Sequence, residues 1–338
     1  MTAVLFTCAG QRVDIVTAFG RAGATTIATD LDQLAPALYH ADRRALVPRV
    51  DDPAYIEALR DLVRLHDVRL IVPLTDLDHL QLAQARSTLG GAVVLVPEPD
   101  TIARCSDKYL AHVFFEENGI GSPPTYLPAD LPADLSYPVL VKARKGFGSR
   151  HIYRAATAED LAFFLRHTTA DSMVQGLCRG EEFSIDVFCD LDGRCLNAIP
   201  RTMIESKGGE SIKGMTIKDD ELIEFGCKVS EALRIIGPAN VQCFREPDGE
   251  LQVTDVNPRF GGGFPLPTAA GSRYPELALA VANGERLEPQ FGDFREGVVM
   301  TRYFSQVILE EADGALEPLQ LEPLQLEPVQ AEAVPEEA

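Results

Sequence analysis

The first hundred residues alternate short apolar runs with helix-like stretches, and that rhythm leaves few folds open. Val4 to Thr7, Thr25 to Thr29, Ala45 to Val47, Leu70 to Val72 and Val93 to Val96 read as strands. Between the third and fourth, Tyr55, Ile56, Leu59, Leu62, Val63 and Leu65 fall at helical spacing on one face, after the start signal Asp51-Asp52-Pro53. Strand and helix in alternation give a Rossmann-like parallel sheet with helices on both faces. Ligands of such sheets gather at the carboxyl ends of the strands, where Asp30, Asp32, Asp76 and Asp78 lie. We read these carboxylates first as caps and turn formers, and second as a substrate-holding or domain-closing edge. A single glycine, Gly10, follows the first strand, so the Gly-x-Gly-x-x-Gly dinucleotide turn is missing and NAD-dependent chemistry is not expected.

Further along, Asn240-Val-Gln242-Cys-Phe and Glu250-Leu-Gln-Val-Thr-Asp255-Val-Asn257 flank Asp248-Gly249, a hairpin turn signal. Asp255 and Asn257 are two apart, so on a strand both side chains leave the same face. Pairing can bring the Gln242 amide oxygen beside them. An all-oxygen set with one carboxylate suits Mg²⁺ shared with substrate phosphates, with no His or Cys needed.

Tyr137-Pro-Val-Leu-Val-Lys142 runs into Ala-Arg-Lys145-Gly146-Phe-Gly148-Ser149, and a second apolar run follows. This is a hairpin whose tip can fold over phosphates through backbone N–H groups, with Lys142 as a point charge on their oxygens. It is not a Walker A loop. Met173-Val-Gln175-Gly176-Leu177-Cys178-Arg-Gly180-Glu-Glu182-Phe reads as strand, hinge and strand, able to present backbone groups to a base edge. Ile199 to Gly214 has the charge mix of a closing loop: Arg201 and Lys207 for a substrate carboxylate, Glu210 for an amino group. Asp219 then caps a helix with Leu222, Ile223, Val229, Leu233 and Ile236 on its apolar face, ended by Gly237.

These segments in this order, preceded by Asp107-Lys108 and Gly119-Ile-Gly-Ser-Pro-Pro124, resemble the ATP-grasp superfamily. The likeness is nearest to the ATP-binding half of carbamoyl-phosphate synthase large chains and to related carboxylate–amine ligases, and it runs to about residue 305. It implies ATP and one or two Mg²⁺ ions, with Mn²⁺ as a substitute. It implies Lys108, Lys142, Gly146, Gly148 and Ser149 at the phosphates; Gln175, Gly176, Leu177 and Cys178 at adenine; and Glu182 at ribose. Gln242, Asp255 and Asn257 carry over as metal ligands and Arg259 as the arginine beside the transferring phosphoryl group; the family usually has Glu where Asp255 stands. The fold implied is α/β and α+β: a pre-ATP-grasp domain over 1–104, an ATP-grasp domain over 105–309 with a lid at about 115–175, and a tail over 310–338.

The activity implied is ligation of a small carboxylate to an amine, both expected to be amino acids, through an acyl phosphate, releasing ADP and phosphate. Carboxyphosphate or carbamoyl phosphate formation from bicarbonate is the second expectation, weakened by a single ATP module and no glutaminase segment; a non-catalytic ATP-binding scaffold is the third. Relatives imply a homodimer.

Composition agrees with a soluble, cytoplasmic protein. No apolar stretch reaches ~18 residues, the first residues lack a basic leader, and seven cysteines with no Cys-x-x-Cys point to a reducing compartment. A net charge of −20 argues against nucleic-acid phosphates as a ligand. From Glu310 onward there are nine acidic and no basic residues, with Leu-Glu-Pro repeats starting at Leu316, Leu321 and Leu326. Proline at that spacing excludes a helix, so we expect a disordered acidic tail that aids solubility or docks a partner protein through its leucines.

Overall fold

The computed structural model describes residues 1–146, 151–207, 210–312 and 314–319. Residues 1–303 form one compact unit and residues from 304 another.

The first unit opens with a five-stranded parallel sheet in the order β3-β2-β1-β4-β5. Its strands are β1 (Ala3–Thr7), β2 (Thr25–Asp30), β3 (Arg43–Leu46), β4 (Val68–Pro73) and β5 (Val93–Val94). Every residue of β1 is buried, as expected for a strand covered on both faces. The period of two sorts them. Val4 and Phe6 pack with Ile15, Val16 and Phe19 of α1 (Val13–Arg21), while Ala3 and Leu5 pack with Tyr55, Leu59 and Val63 of α2 (Tyr55–His66). Leu65, expected on that inner face, is 73% exposed, because an i+10 position has drifted off a stripe set by Tyr55, Leu59 and Val63. Three further helices, α3 (His79–Ala85), α4 (Pro99–Ser106) and α5 (Lys108–Glu117), lead out of this layer.

A four-stranded sheet follows in the order β6-β9-β7-β8, built from β6 (Thr125–Tyr126), β7 (Val139–Ala143), β8 (Ile152–Ala155) and β9 (Ser172–Gly176). With α6 (Ala158–His167) it closes a small core of its own: Val139, Val141, Ala155, Leu161 and Val174. Residues 147–150, the tip of the β7–β8 hairpin with Gly148 and Ser149, lie outside the described residues.

The central sheet has the order β11-β10-β14-β15, all antiparallel. Its strands are β10 (Glu181–Cys189), β11 (Cys195–Thr202), β14 (Gly237–Arg245) and β15 (Leu251–Asn257). Beside it lie β12 (Glu205–Lys207) and β13 (Glu210–Met215), α7 (Asp220–Ala232), α8 (Pro265–Ala270), α9 (Tyr274–Ala282) and β16 (Val299–Thr301). The expected loop from Ile199 is therefore mostly strand: Arg201 is a β11 residue, 2% exposed, rather than part of a mobile segment. The helix expected to run to Gly237 stops at Leu233, where Arg234 takes φ +52; Ile235 and Ile236 continue buried, and Gly237 with φ +77 starts β14. A Cβ on Gly237 would come within 3.0 Å of the Leu95 side chain, a second reason for glycine there.

Aromatic rings tie the layers together. Phe6 and Phe19 lie 5.2 Å apart, Phe19 and Phe260 6.0 Å, Phe260 and Phe264 4.7 Å, all edge to face. Arg12, braced by Asp14, donates to the carbonyls of Phe260 and Gly261 at 3.0 Å each. The parallel sheet is thus pinned to the chain just after β15.

In the second unit, β17 (Leu309–Ala312) and β18 (Ala315–Pro318) form an antiparallel hairpin turned at Gly314, φ +79. This corrects the expectation of a tail without structure from 310: the first Leu-Glu-Pro unit sits in β18, where Pro318 occupies the strand's last position and costs no ladder bond within it. Residues 320–338 lie outside the described residues. Among the described residues no helix is long and apolar enough to cross a membrane.

Candidate active site

The turn at Asp248-Gly249 folds as its sequence suggests. Gly249 has φ +94, and the hairpin is closed by Gly249 N–H to Glu246 C=O at 2.8 Å and Glu246 N–H to Glu250 C=O at 2.9 Å. The resulting register sets Gln242 opposite Asp255 and Asn240 opposite Asn257, with an irregularity after Gln242 that leaves Thr254 as the extra residue. All three expected metal ligands therefore line one cavity of about 260 Å³.

Around that cavity the structure gathers Lys108, Lys142, Gly146, Gln175, Gly176, Leu177, Cys178, Glu182, Arg201 and Arg259. It does not bring in Lys207, which is exposed at the end of β12, and Glu210 is described only as the backbone partner of Lys207 in β13.

Lys108 is aimed by its neighbours. Asp107 caps α5, accepting from the N–H groups of Tyr109 at 3.1 Å and Leu110 at 3.3 Å, and takes the Arg144 guanidinium at 2.6 and 3.2 Å. The Lys108 N–H donates to the Arg144 carbonyl at 2.9 Å, and its ammonium reaches the Gly146 carbonyl at 3.2 Å and Asp255 Oδ1 at 3.4 Å. Asp107 entered the sequence reading only as half of the Asp107-Lys108 pair, and its partner Arg144 did not enter it. The spacing of 37 residues hides the pair, although an Asp directly before a helix-starting Lys is a legible cap.

On the opposite wall Lys142 donates to Gln175 Oε1 at 3.0 Å, and Gln175 Nε2 donates to Thr125 Oγ1 at 3.0 Å. Gln175, 4% exposed, is thereby turned toward the lysine, a different duty from the adenine contact expected of its amide. The Gly176 N–H is likewise engaged, by the Pro124 carbonyl at 2.8 Å. Burial pulls the Lys142 ammonium below the ordinary lysine range, opposed by Asp255 and reinforced by Lys108. Glu182 is pushed up by burial, with Lys142 and Arg201 pulling it back; the Cys178 thiol rises to about 12 for the same first cause, then through Glu246. Leu140, Ile152 and Phe244 supply apolar wall between these groups, a slot suited to a flat ring.

Arg201 is held by three side chains. Its Nε donates to Asp186 Oδ2 at 2.8 Å and its Nη1 to Ser211 Oγ at 3.2 Å and Met203 Sδ at 3.1 Å, and Asp186 in turn accepts from Asn240 Nδ2 at 2.9 Å. A Cβ on Gly263 would stand 2.4 Å from the guanidinium carbon, so only glycine lets the chain pass flat against it. At the last corner Arg259 donates to Asn257 Oδ1 at 3.3 Å and Asp76 Oδ2 at 3.2 Å, and Asn257 donates to Asp255 Oδ2 at 3.1 Å.

Asp30 and Asp32 prove to be turn formers: Asp30 accepts from the N–H groups of Gly10 and Asp32, and Asp32 from that of Leu34. Asp78 is fully buried and takes the Tyr55 hydroxyl at 2.7 Å.

A parallel-sheet domain joined to a cavity of two lysines, an arginine and an oxygen-ligand strand is the arrangement of an ATP-grasp fold. Comparison with known proteins agrees. Residues 4–94 match the family of PylC-like N-terminal domains, and residues 168–304 match the family described as ATP-grasp in the biosynthetic pathway with Ter operon. The carbamoyl phosphate synthase large chain of Caldanaerobacter subterraneus is 28% identical over 175 residues, 47% of this chain, and that of a Thermoanaerobacter species 28% over 214 residues, 56% of this chain. The chain spans 16% and 19% of those relatives' lengths. N5-carboxyaminoimidazole ribonucleotide synthetase of Thermotoga maritima shares the fold with a TM-score of 0.66 at 20% identity, covering 86% of this chain and 78% of that one. L-amino acid ligase of Bacillus licheniformis shares it with 0.67 at 20%, covering 85% and 75%.

Proposed function

We propose that this chain is an ATP-dependent ligase that joins a small carboxylate, an amino acid in the simplest case, to an amine through an acyl phosphate. The observation that carries the reading is the convergence of Lys108, Lys142, Arg259 and the Gln242, Asp255, Asn257 set on one cavity. Among the described residues no cluster of three His, Cys, Asp or Glu is present. A cation here thus has one carboxylate and two amide oxygens, and the donor set fits Mg²⁺, which takes the remainder of its shell from phosphates and water. When bound, Mg²⁺ would neutralise the triphosphate and draw charge off the phosphoryl group.

The residues do the rest by position. A free carboxylate does not acylate an amine, because oxide would have to leave; transfer of the γ-phosphoryl group supplies a leaving group. That step brings an anion onto a polyanion, so neutralisation and in-line placement are the main demands. Lys142 and Lys108 face each other across the phosphate region, Arg259 stands at the transfer end, and the Arg201 guanidinium, fixed by Asp186, offers its remaining donors to the carboxylate substrate. The neutral amine nitrogen then attacks the acyl carbon, phosphate leaves with the bonding pair, and transfer of one nitrogen proton to the departing phosphate leaves an amide. The sheet β6-β9-β7-β8, with its own core and with Lys142, is the lid that shields the acyl phosphate from water.

Two variants, Lys142→Ala and Asp255→Ala, test this. With amino acids supplied singly and in pairs, amine-dependent ADP release by the wild-type protein should vanish in both while far-UV circular dichroism is kept. Survival of ADP release in both would remove the site assignment. The similarity to carbamoyl phosphate synthase large chains favours bicarbonate as the second acid to try; ADP release with bicarbonate and no amino acid would move the substrate to that compound.

A further inference from the structure

We infer that Asp76 binds the ammonium group of the amine substrate, and that its contact with Arg259 holds this place in the ligand-free protein; the inference rests on the ligase reading above. Asp76 follows β4 at the carboxyl end of the parallel sheet, where the Leu77 N–H donates to Thr75 Oγ1 at 3.3 Å and shapes the turn. Its side chain is 36% exposed, and Oδ2 meets Arg259 Nε at 3.2 Å. Through Arg259 and Asn257 it stands two side chains from Asp255.

Charge decides what Asp76 does when substrates arrive. Arg259 is a planar donor with a strong preference for phosphoryl oxygens, so a γ-phosphate or acyl phosphate draws it off the carboxylate. The other neighbour, His79 Nδ1 at 3.9 Å from Oδ1, is held neutral because burial lowers its pKa, and supplies no compensating charge. Asp76 is then an exposed anion next to Arg259, which lines the cavity. The remaining acids around it are committed: Asp255 to Lys108 and the metal set, Asp186 to Arg201 and Asn240, Asp78 to Tyr55. Glu182 belongs to the far wall with Lys142. A primary ammonium, with three donors on a compact charge, is the ligand class that fits Asp76; once one of its protons passes to the Asp76 carboxylate, the nitrogen has the lone pair with which to attack the acyl carbon.

The test uses full-length protein and two nucleophiles: the amino acid found active as amine in the ADP-release screen, and hydroxylamine, which is largely uncharged near neutral pH and traps acyl phosphates without an ammonium site. For Asp76→Asn we expect the KM for the amine to rise tenfold or more, with a smaller change in kcat, and the preference for the amine over hydroxylamine to fall at least tenfold. Asp76→Glu should recover part of that preference, which guards against a misfolded Asn variant. An unchanged amine KM in Asp76→Asn, or equal losses with amine and hydroxylamine, would overturn the assignment alone. No ADP release by the wild-type protein with any acid and amine would overturn the ligase reading and this assignment with it.

Discussion

Two strand ends in this protein carry aspartates of opposite character. In the parallel sheet Asp78 is sealed in, with no exposed surface and the Tyr55 hydroxyl on one oxygen. In the antiparallel sheet Asp255 faces a cavity and touches groups that a ligand can displace: the Lys108 ammonium at 3.4 Å and the Asn257 amide at 3.1 Å. Burial drives the Asp78 carboxyl above the usual aspartate range and so favours its neutral form. The difference teaches that position at a strand end does not make a carboxylate functional. What matters is whether fixed protein donors or exchangeable cations answer its charge.

The sharpest way to break this contrast is to exchange the consequences. Asp255→Asn should lower ADP release about a thousandfold, roughly 4 kcal/mol of transition-state stabilisation, while the urea midpoint stays within about 0.5 kcal/mol of wild type. If stability fell and activity held, Asp255 would be structural and the contrast void. Tyr55→Phe should do the reverse: about 1–3 kcal/mol lost in urea unfolding, because a buried carboxyl loses its donor, with ADP release within twofold. Gln175→Leu sharpens the picture on the opposite wall. It removes the acceptor that holds Lys142, and we expect about a tenfold loss in ADP release, well short of that in Lys142→Ala.

A pH experiment follows from Lys142. Burial lowers its pKa, so in alkaline buffer the free protein has given up part of that proton; phosphate oxygens favour the charged form and raise the pKa again. Binding of Mg²⁺ and ATP should therefore take up protons in alkaline buffers, seen as a dependence of calorimetric enthalpy on buffer ionisation heat, and Lys142→Met should abolish that uptake. The smallest expected effect lies at the cap of α7. Arg245 holds the Asp219 carboxyl below its usual range, so the pair's contribution is complete above the ordinary aspartate value of roughly 3.9 and is lost as pH falls through the lower native value. Urea midpoints of wild type and Asp219→Asn should differ at neutral pH and converge on acidification.

The register of β14 and β15 was legible because two local rules met there. A two-residue alternation fixed which side chains share a face, and Asp248-Gly249 fixed the turn, so register followed. The parallel sheet was legible for a similar reason: its apolar runs are continuous, and the structure extends the first, second and fourth by one to three residues, shifts the third to Arg43–Leu46 and shortens the fifth to Val93–Val94. Arg201 shows where local reading stops. A charged residue beside Pro200 and before a pair of glycines looks like loop, and only Asp186, fifteen residues earlier on the neighbouring strand, makes it a buried strand residue. The turn of Gln175 toward Lys142 was hidden for the same reason, since Thr125, fifty residues away, orients its amide. Partners set by tertiary pairing have no signature at short range.

The Arg12 fork and the run of four phenylalanine rings have a consequence for movement. They weld the exit of β15 to the amino-terminal layer, whereas the hairpin sheet bearing Lys142 is joined to α5 through Asp107, Lys108 and Arg144. Any swing of that sheet would carry Lys142 away from Asp255 and Arg259, and would first have to part Arg144 from Asp107.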